Sequence, residues 1–306
     1  MTGYPSVTII TPVYNGEKFI QETIKSILDQ NYPNLEYIVL DDGSTDRTAE
    51  MIKPFEGKIK LIRQTNIGHP QTVNKGFSLA EGDILSVVNA DDPLRPGAID
   101  FMARELVSDL GIIVAYPDWD LIDENGDVIE TIQPPDYEYS SMVNWHKCLP
   151  GPGAFFRRSI LKQISGWNEE YRYVYDFEFW LRAGLLGEFK HINQNLAAFR
   201  WHASSKSAGQ QGKLMAAEHV RLMRNYFKLP GLSQKKGINR RQAMSSAYYI
   251  GGTVVGENEW LKKWYFLKAW ILFPFACPDD FERKKGEHIR WVLWRSVVKS
   301  WWNKLS

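Results

Sequence analysis

Cysteine is nearly absent from this chain: its 306 residues hold two, Cys148 and Cys277, far apart and in no metal-ligand or redox spacing. That excludes a disulfide scaffold and points to a reducing compartment. Net charge is lacking as well. Lys plus Arg is 37 against 36 Asp plus Glu, a net of +1, so no overall field draws the chain to nucleic acid. No apolar run reaches the roughly 20 residues of a membrane span, because Lys262, Lys263, Lys268 and Pro274 interrupt the longest one. Met1-Thr2-Gly3-Tyr4-Pro5 has neither a basic segment nor an apolar core, so export is not expected and the cytoplasm is the expected location. Glycine-rich phosphate loops are missing too: no G-x-G-x-x-G follows the first apolar run, and G-K-[ST] does not occur. A nucleotide bound here has to be held through metal and carboxylates.

What is present describes a folded globular chain, 44% hydrophobic and 24% charged, large enough for one big domain or a domain with an appendage. Val7 to Thr11 is a β-branched run stopped by Pro12, followed by a helix whose Ile20, Ile24, Ile27 and Leu28 share a face. Tyr37 to Leu40 reads as a second strand running into Asp41-Asp42-Gly43-Ser44, with Ser44 or Thr45 placed to cap the next helix. Ile59 to Ile62 is a third strand, followed by a helix from about Pro70 to Leu79, and Ile84 to Val88 is a fourth strand. Strands separated by helices imply right-handed parallel crossovers, hence an α/β fold with a doubly wound, mostly parallel sheet.

The Ile84 strand ends abruptly in Asp91-Asp92-Pro93, where open α/β sheets place their ligands, beyond the carboxyl ends of the strands. Adjacent carboxylates repel unless a cation or donor compensates them, and a divalent metal carrying a polyphosphate does so. A solvated turn before Pro93 is the plainer alternative. Tyr14, beside a proline, offers an aromatic face, and the strand-end pairs Asp41-Asp42 and Asp91-Asp92 offer carboxylate acceptors, which together are what a uracil- or thymine-like ring with its N–H needs.

The succession Val7-Thr8-Ile9-Ile10-Thr11-Pro12-Val13-Tyr14-Asn15, Val39-Leu40-Asp41-Asp42-Gly43-Ser44, Asn66-Ile67-Gly68, Asn74-Lys75-Gly76-Phe77 and Val88-Asn89-Ala90-Asp91-Asp92 resembles the inverting glycosyltransferases of family 2, which have the GT-A fold. The resemblance spans roughly residues 5 to 205 in the right order. It implies that Pro12 and Tyr14 flank the nucleobase, that Asp42 accepts from its ring N–H, and that Asn66 and Lys75 belong to the donor site. Asp91 then faces the ribose, and Asp92 ligates a divalent metal, Mn2+ or Mg2+, on the donor diphosphate. Asn89 stands where many members carry Asp, and Val73 where many carry Arg.

Farther along, Ile112 to Ala115 is a strand, and Leu121-Ile122 and Val128-Ile129 form a hairpin around Asn125-Gly126. Asp118 and Asp120 read as solvation at a strand end, with contact to the donor sugar as the alternative. Pro134-Pro135 opens a long turn-rich loop reaching Gly153, either a lid or an acceptor-side wall. In Tyr175-Asp176-Phe177-Glu178-Phe179-Trp180-Leu181-Arg182, Asp176 sits in the first turn of a helix and on periodicity alone is a cap. The segment resembles the family's Glu-Asp-x-Asp-x-x-x-Arg, which implies that Asp176 is the general base, with Tyr175 replacing the first acid. Arg200-Trp201-His202 resembles the family's Arg-x-His, which implies that His202 completes the metal shell.

The domain division expected is a catalytic domain over 1–208 and a helical, basic, tryptophan-rich region over 209–306. Trp260, Trp264, Trp270, Trp291, Trp294, Trp301 and Trp302 lie in the latter, either as interfacial anchors at a membrane surface or as the core of a helical subdomain. The expected function is transfer of a sugar from a UDP- or dTDP-sugar to a hydroxyl of a glycan or lipid-linked acceptor in polysaccharide biosynthesis. Work at the inner face of the cell membrane is expected with it. The rivals are a catalytically silent sugar-nucleotide-binding or scaffold protein, and a nucleotidyltransferase.

Overall fold

The computed structural model describes residues 3–202, 212–230, 232 and 235–273. In chain order its main elements are β1 (Val7–Val13), α1 (Ile20–Leu28), β2 (Leu35–Asp41), α2 (Thr48–Ile52), β3 (Lys60–Arg63), α3 (His69–Leu79), β4 (Ile84–Val87) and α4 (Ala98–Ser108). There follow β5 (Ile112–Ile122), β6 (Val128–Ile132), α5 (Tyr139–Asn144), β7 (Phe155–Arg157), α6 (Leu161–Ile164), α7 (Tyr175–Ala183) and β8 (Glu188–Arg200). Three helices close the described chain: α8 (Gly212–Tyr226), α9 (Arg240–Val254) and α10 (Glu259–Leu272). They fall into two compact units, one made of residues 1–137, 149–170 and 182–205, the other of 138–148, 171–181 and 206–306.

The first unit is an eight-stranded sheet in the order β3-β2-β1-β4-β7-β5-β6, with β8 paired to β5. β1, β2, β3 and β4 are mutually parallel, as expected, and β8 runs parallel to β5, whereas β7 is antiparallel to both β4 and β5. β1 is buried along its whole length. Its Val7, Ile9 and Val13 share a core cluster with Ile20, Ile24 and Ile27 of α1 and Met102 of α4. On the opposite face Ile10 and Leu40 meet α3 at Gly76, where a Cβ would stand 2.5 Å from Ile10 Cγ2. The two periods, 2 along the strand and 3.6 along the helices, thus deliver apolar side chains to both faces of the sheet.

Pro12 does not stop β1, contrary to expectation; the strand runs on to Val13. The reason is direction. Val13 O accepts from Asp42 N and Ile10 O accepts from Val88 N, so odd positions of β1 bond β2 and even positions face β4. Pairing with β4 ends at Ile10, so Pro12 lacks an N–H where no ladder partner exists. The capping expectation is also corrected: the helix begins at Thr48, and Asp46 Oδ1 accepts from Thr48 N and Oγ1. Ser44 and Thr45 instead bind the backbone N–H and the side chain of Asn15 in the loop after β1. The long loop after Pro135 contains α5, whose residues belong to the second unit.

The second unit is helical among its described residues. Ala216 and Val220 of α8, Tyr248 and Tyr249 of α9, and Tyr265, Phe266 and Ala269 of α10 form its core. Residues 274–306, with Trp291, Trp294, Trp301 and Trp302, lie outside the described residues, as does the expected membrane contact of that segment. No described helix is long and apolar enough to cross a membrane.

Replacing Gly76 by valine forces its side chain into Ile10, which is fully buried. The Gly76→Val protein should unfold at lower urea, with a loss of about 1–3 kcal/mol. An unchanged midpoint would mean that α3 does not approach β1 this closely.

Candidate active site

Three adjacent parallel strands, β2, β1 and β4, end side by side, and the expected donor-site residues follow from their carboxyl ends. Tyr14, just past β1, is 53% exposed, while Pro12 is buried within the strand. Asp42, just past β2, is buried. Its Oδ1 accepts from Gln64 Nε2 at 2.8 Å and Ile67 N at 2.9 Å, and its Oδ2 from Gly68 N at 2.9 Å. Two oxygens offer about four lone-pair sites, so one acceptor position is left for an incoming N–H. Lys75 does not reach Asp42 directly; its Nζ donates to Gln64 Oε1 at 2.7 Å, which fixes the amide that holds Asp42. Asn66 is exposed, and its backbone lies so close to Gly43 that a Cβ there would be 2.7 Å from Asn66 N. Gly43 also has φ +78, the left-handed conformation that glycine adopts without strain.

Past β4 the Asp91-Asp92 turn is held from several sides. Asp92 is 5% exposed; its Oδ1 accepts from Arg200 N and its Oδ2 from Asn89 Nδ2, both at 2.9 Å. Both donors are uncharged. Burial, and then the neighbouring Asp91 charge, push the Asp92 carboxyl up to about 8 against the hydrogen bonds from Asn89 and Arg200. Asp91 is more open, its side chain 31% exposed, and His202 Nε2 lies 2.9 Å from its Oδ2. Arg200, the last residue of β8, is 1% exposed and spans the turn. Its guanidinium donates to Asp91 O, to Asp123 O and Glu124 O, and to Glu22 Oε2 at 2.6 Å, and it lies over the Phe19 ring. His202 packs its ring 5.0 Å from that same phenylalanine. The structure therefore brings Asp91, Asp92 and His202 together.

A divalent cation can be tested against these donors. Among the described residues no three His, Cys, Asp or Glu side chains form a ready-made cage. The pieces present suit a hard cation that shares its shell with substrate oxygens: an open carboxylate, an imidazole bonded to it, and a buried carboxylate without a charged donor. Val73 is wholly buried in α3, so no diphosphate contact comes from that position.

Asp118 and Asp120 correct the expectation of strand-end solvation, since both lie inside β5 and are buried. Asp118 pairs with His191 at 2.7 Å, and Asp120 binds Arg95, Thr131 and Asn195. Burial pushes the Asp120 carboxyl up, but those three hydrogen bonds hold it below the usual range. They are tie points of the sheet.

Asp176 belongs to the second unit, in the first turn of α7, and accepts from Phe177 N at 2.7 Å. The chain leading into that turn is fixed by Glu218 of α8, whose carboxylate accepts from Arg172 N and Tyr173 N. Sequence reasoning did not find Glu218 or Gln64. A buried helical glutamate and a single glutamine after a strand carry no motif.

The sheet is that of the GT-A glycosyltransferases. It is similar to S. aureus TarS 1–349 in complex with UDP-GlcNAc, with a TM-score of 0.61 at 18% identity, covering 92% of each chain. It is likewise similar to the mannosyltransferase PcManGT from Pyrobaculum calidifontis in complex with GDP-Man and Mn2+, with a TM-score of 0.61 at 17% identity, covering 99% of this chain and 89% of that one. Residues 8–165 match Glycosyl transferase family 2, and the chain belongs to that family. The chondroitin synthase of Pasteurella multocida is 26% identical over 196 residues, 62% of this chain and 20% of its own. The matched region spans less than two thirds of this and other curated relatives, 58% and 65% in two more cases.

The raised Asp92 pKa has a consequence for stability. An unfolded aspartate titrates near 4, the folded one at about 8, so between those values the folded state holds the extra proton and loses stability as pH rises. Asp92→Asn removes that loss. Its melting temperature, relative to wild type without metal, should climb across this window and level off above it; a difference that ignores pH would show that burial does not hold Asp92 protonated.

Proposed function

We propose that this glycosyltransferase moves a sugar from a pyrimidine nucleoside diphosphate sugar, UDP- or dTDP-linked, to a hydroxyl of a glycan or lipid-linked acceptor, with inversion. The observation that carries the reading is the row of Tyr14, Asp42 and Asp91-Asp92 at the carboxyl ends of β1, β2 and β4, the crevice where open α/β sheets bind nucleotides. Support comes from the UDP-GlcNAc bound by TarS and from the polysaccharide named in chondroitin synthase.

In this reading Tyr14 stacks on the base beside Pro12, and Asp42 offers its remaining lone pair to the ring N–H. Gln64, held by Lys75, keeps that carboxylate aimed. Asn66 lines the same end, and Asp91 meets the ribose. Asp92 and His202 hold Mn2+ or Mg2+, which supplies positive charge to the departing diphosphate. Arg200 keeps the Asp91-Asp92 turn in place through its backbone N–H and guanidinium. Asp176 takes the proton from the acceptor hydroxyl; the acceptor oxygen bonds to the anomeric carbon as the bond to the phosphate oxygen breaks, its electron pair leaving with the nucleoside diphosphate. One such displacement inverts the anomeric centre.

Calorimetric titration of UDP with and without Mn2+ tests the donor site. Wild type should bind more tightly with the metal, and Asp92→Ala should lose that enhancement; equal binding by both proteins sinks the assignment. Asp176 is tested separately by Asp176→Asn, which keeps the side-chain shape and removes the proton acceptor. Donor binding should survive while transfer falls by roughly 10²-fold or more. Near wild-type transfer would leave Asp176 as a helix-end residue only.

A further inference from the structure

α3 opens on a histidine, and helix chemistry gives no reason for it. The first turn of a helix favours carboxylates over cations, and Pro70 already suits the helical start behind Gly68. What explains His69 is what it touches. Its Nε2 lies 3.3 Å from Asn89 Oδ1, and Asn89 Nδ2 donates to Asp92 Oδ2 at 2.9 Å. The turn into α3 therefore reaches both strand-end acids: Ile67 N and Gly68 N bond Asp42, and the next residue reaches Asp92 through Asn89.

The imidazole is held from behind. Its ring stacks on Trp167, centroids 5.6 Å apart and planes 22° from parallel, which fixes the plane of the ring. Trp167 is buried and is set by Asn74 of α3: Asn74 Oδ1 accepts from Trp167 N at 2.7 Å, and Asn74 Nδ2 donates to Trp167 O at 2.8 Å. Phe77, farther along the same helix, meets the indole edge to face. One helix thus carries the imidazole at its first residue and, beyond it, the groups that hold the indole against that imidazole. All of these residues lie in the first unit.

We propose that His69 is a positioning residue of the donor site: as the Nε2–H tautomer it donates to Asn89 Oδ1 and so fixes which end of that amide faces Asp92. An asparagine amide has an acceptor at one end and donors at the other, and a half-turn exchanges them. With Oδ1 held by His69, Nδ2 points at Asp92, and the carboxylate keeps the second of its two donors, Arg200 N being the other. Turned over, the amide would set an oxygen against Asp92 and leave that carboxylate fixed on one side only. The inference rests on the reading of Asp92 as a metal-holding acid, because a hard cation takes its oxygens at set distances and a carboxylate held by hydrogen bonds meets that demand.

The test is the ratio of UDP dissociation constants without and with Mn2+, measured by calorimetry on the full chain, so that a general loss of UDP binding cancels. Asp92→Ala is run beside two variants of His69. His69→Phe keeps a flat ring against Trp167 and removes the donor; the ratio should fall by about tenfold, the loss expected for one hydrogen bond to a charged group. His69→Gln returns an N–H near the place of Nε2 and should recover most of the ratio. In wild type, nitrogen NMR of the histidines, with the His69 signals assigned by their absence from His69→Gln, should show the proton on Nε2. A wild-type ratio kept in His69→Phe while Asp92→Ala loses it overturns the inference and spares the donor reading. So does a proton on Nδ1, or a ratio lost in His69→Gln as well, which is what a packing role alone produces. No enhancement by Mn2+ in wild type, or one that survives Asp92→Ala, overturns the donor reading and this inference with it.

Discussion

A carboxylate kept out of water with only neutral hydrogen-bond donors is the constraint on which the turn after β4 depends. Asp92 has two hydrogen bonds and no charged donor, with a second carboxylate next to it in the chain. Burial of a charge is expensive unless something compensates it, and here it pushes the Asp92 carboxyl up to about 8, which favours the protonated form at neutral pH. A bound cation would offset the same buried charge.

The surroundings of that carboxylate are built to keep it there. Arg200 is a fully buried guanidinium that ties the Asp91 carbonyl, the β5–β6 hairpin carbonyls of Asp123 and Glu124, and Glu22 of α1. Three separate segments thus share one cation, so none can shift without leaving a charged group unpaired. Asp120 does similar service lower in the sheet, between Arg95, Thr131 and Asn195. The two acids differ in what binds them: three side-chain donors, one of them the Arg95 guanidinium, converge on Asp120 and hold its proton off, whereas Asp92 has one neutral side-chain donor and one backbone N–H.

Much of this was legible in advance because it depends on local pattern. The apolar runs of β1, β2 and β4 and the isoleucines of α1 announced a parallel sheet with helices, and the acidic pairs marked the carboxyl ends. Pro12 misled because its effect depends on which neighbour its missing N–H faces, and pairing direction is a tertiary fact. Asp118 and Asp120 misled for a related reason: a D-x-D triplet looks alike at a strand end and in a strand interior, and only β8, with His191 and Asn195 some 75 residues away, decides between them. The antiparallel β7 was hidden because it has three residues, too few for a periodicity to show.

Arg200 N and Asp92 Oδ1 lie 108 residues apart in sequence. During synthesis the first four strands and their helices leave the ribosome long before β8, and β7, which covers the free edge of β4, comes out some seventy residues after that strand. Until then β4 presents an unpaired edge, and the Asp91-Asp92 turn has no clamp. Contacts of such separation slow folding and leave a sticky intermediate while the chain waits. The last of the described strands to emerge is thus the one that fastens the Asp91-Asp92 turn, so that turn is not held in a nascent chain before its sheet is complete.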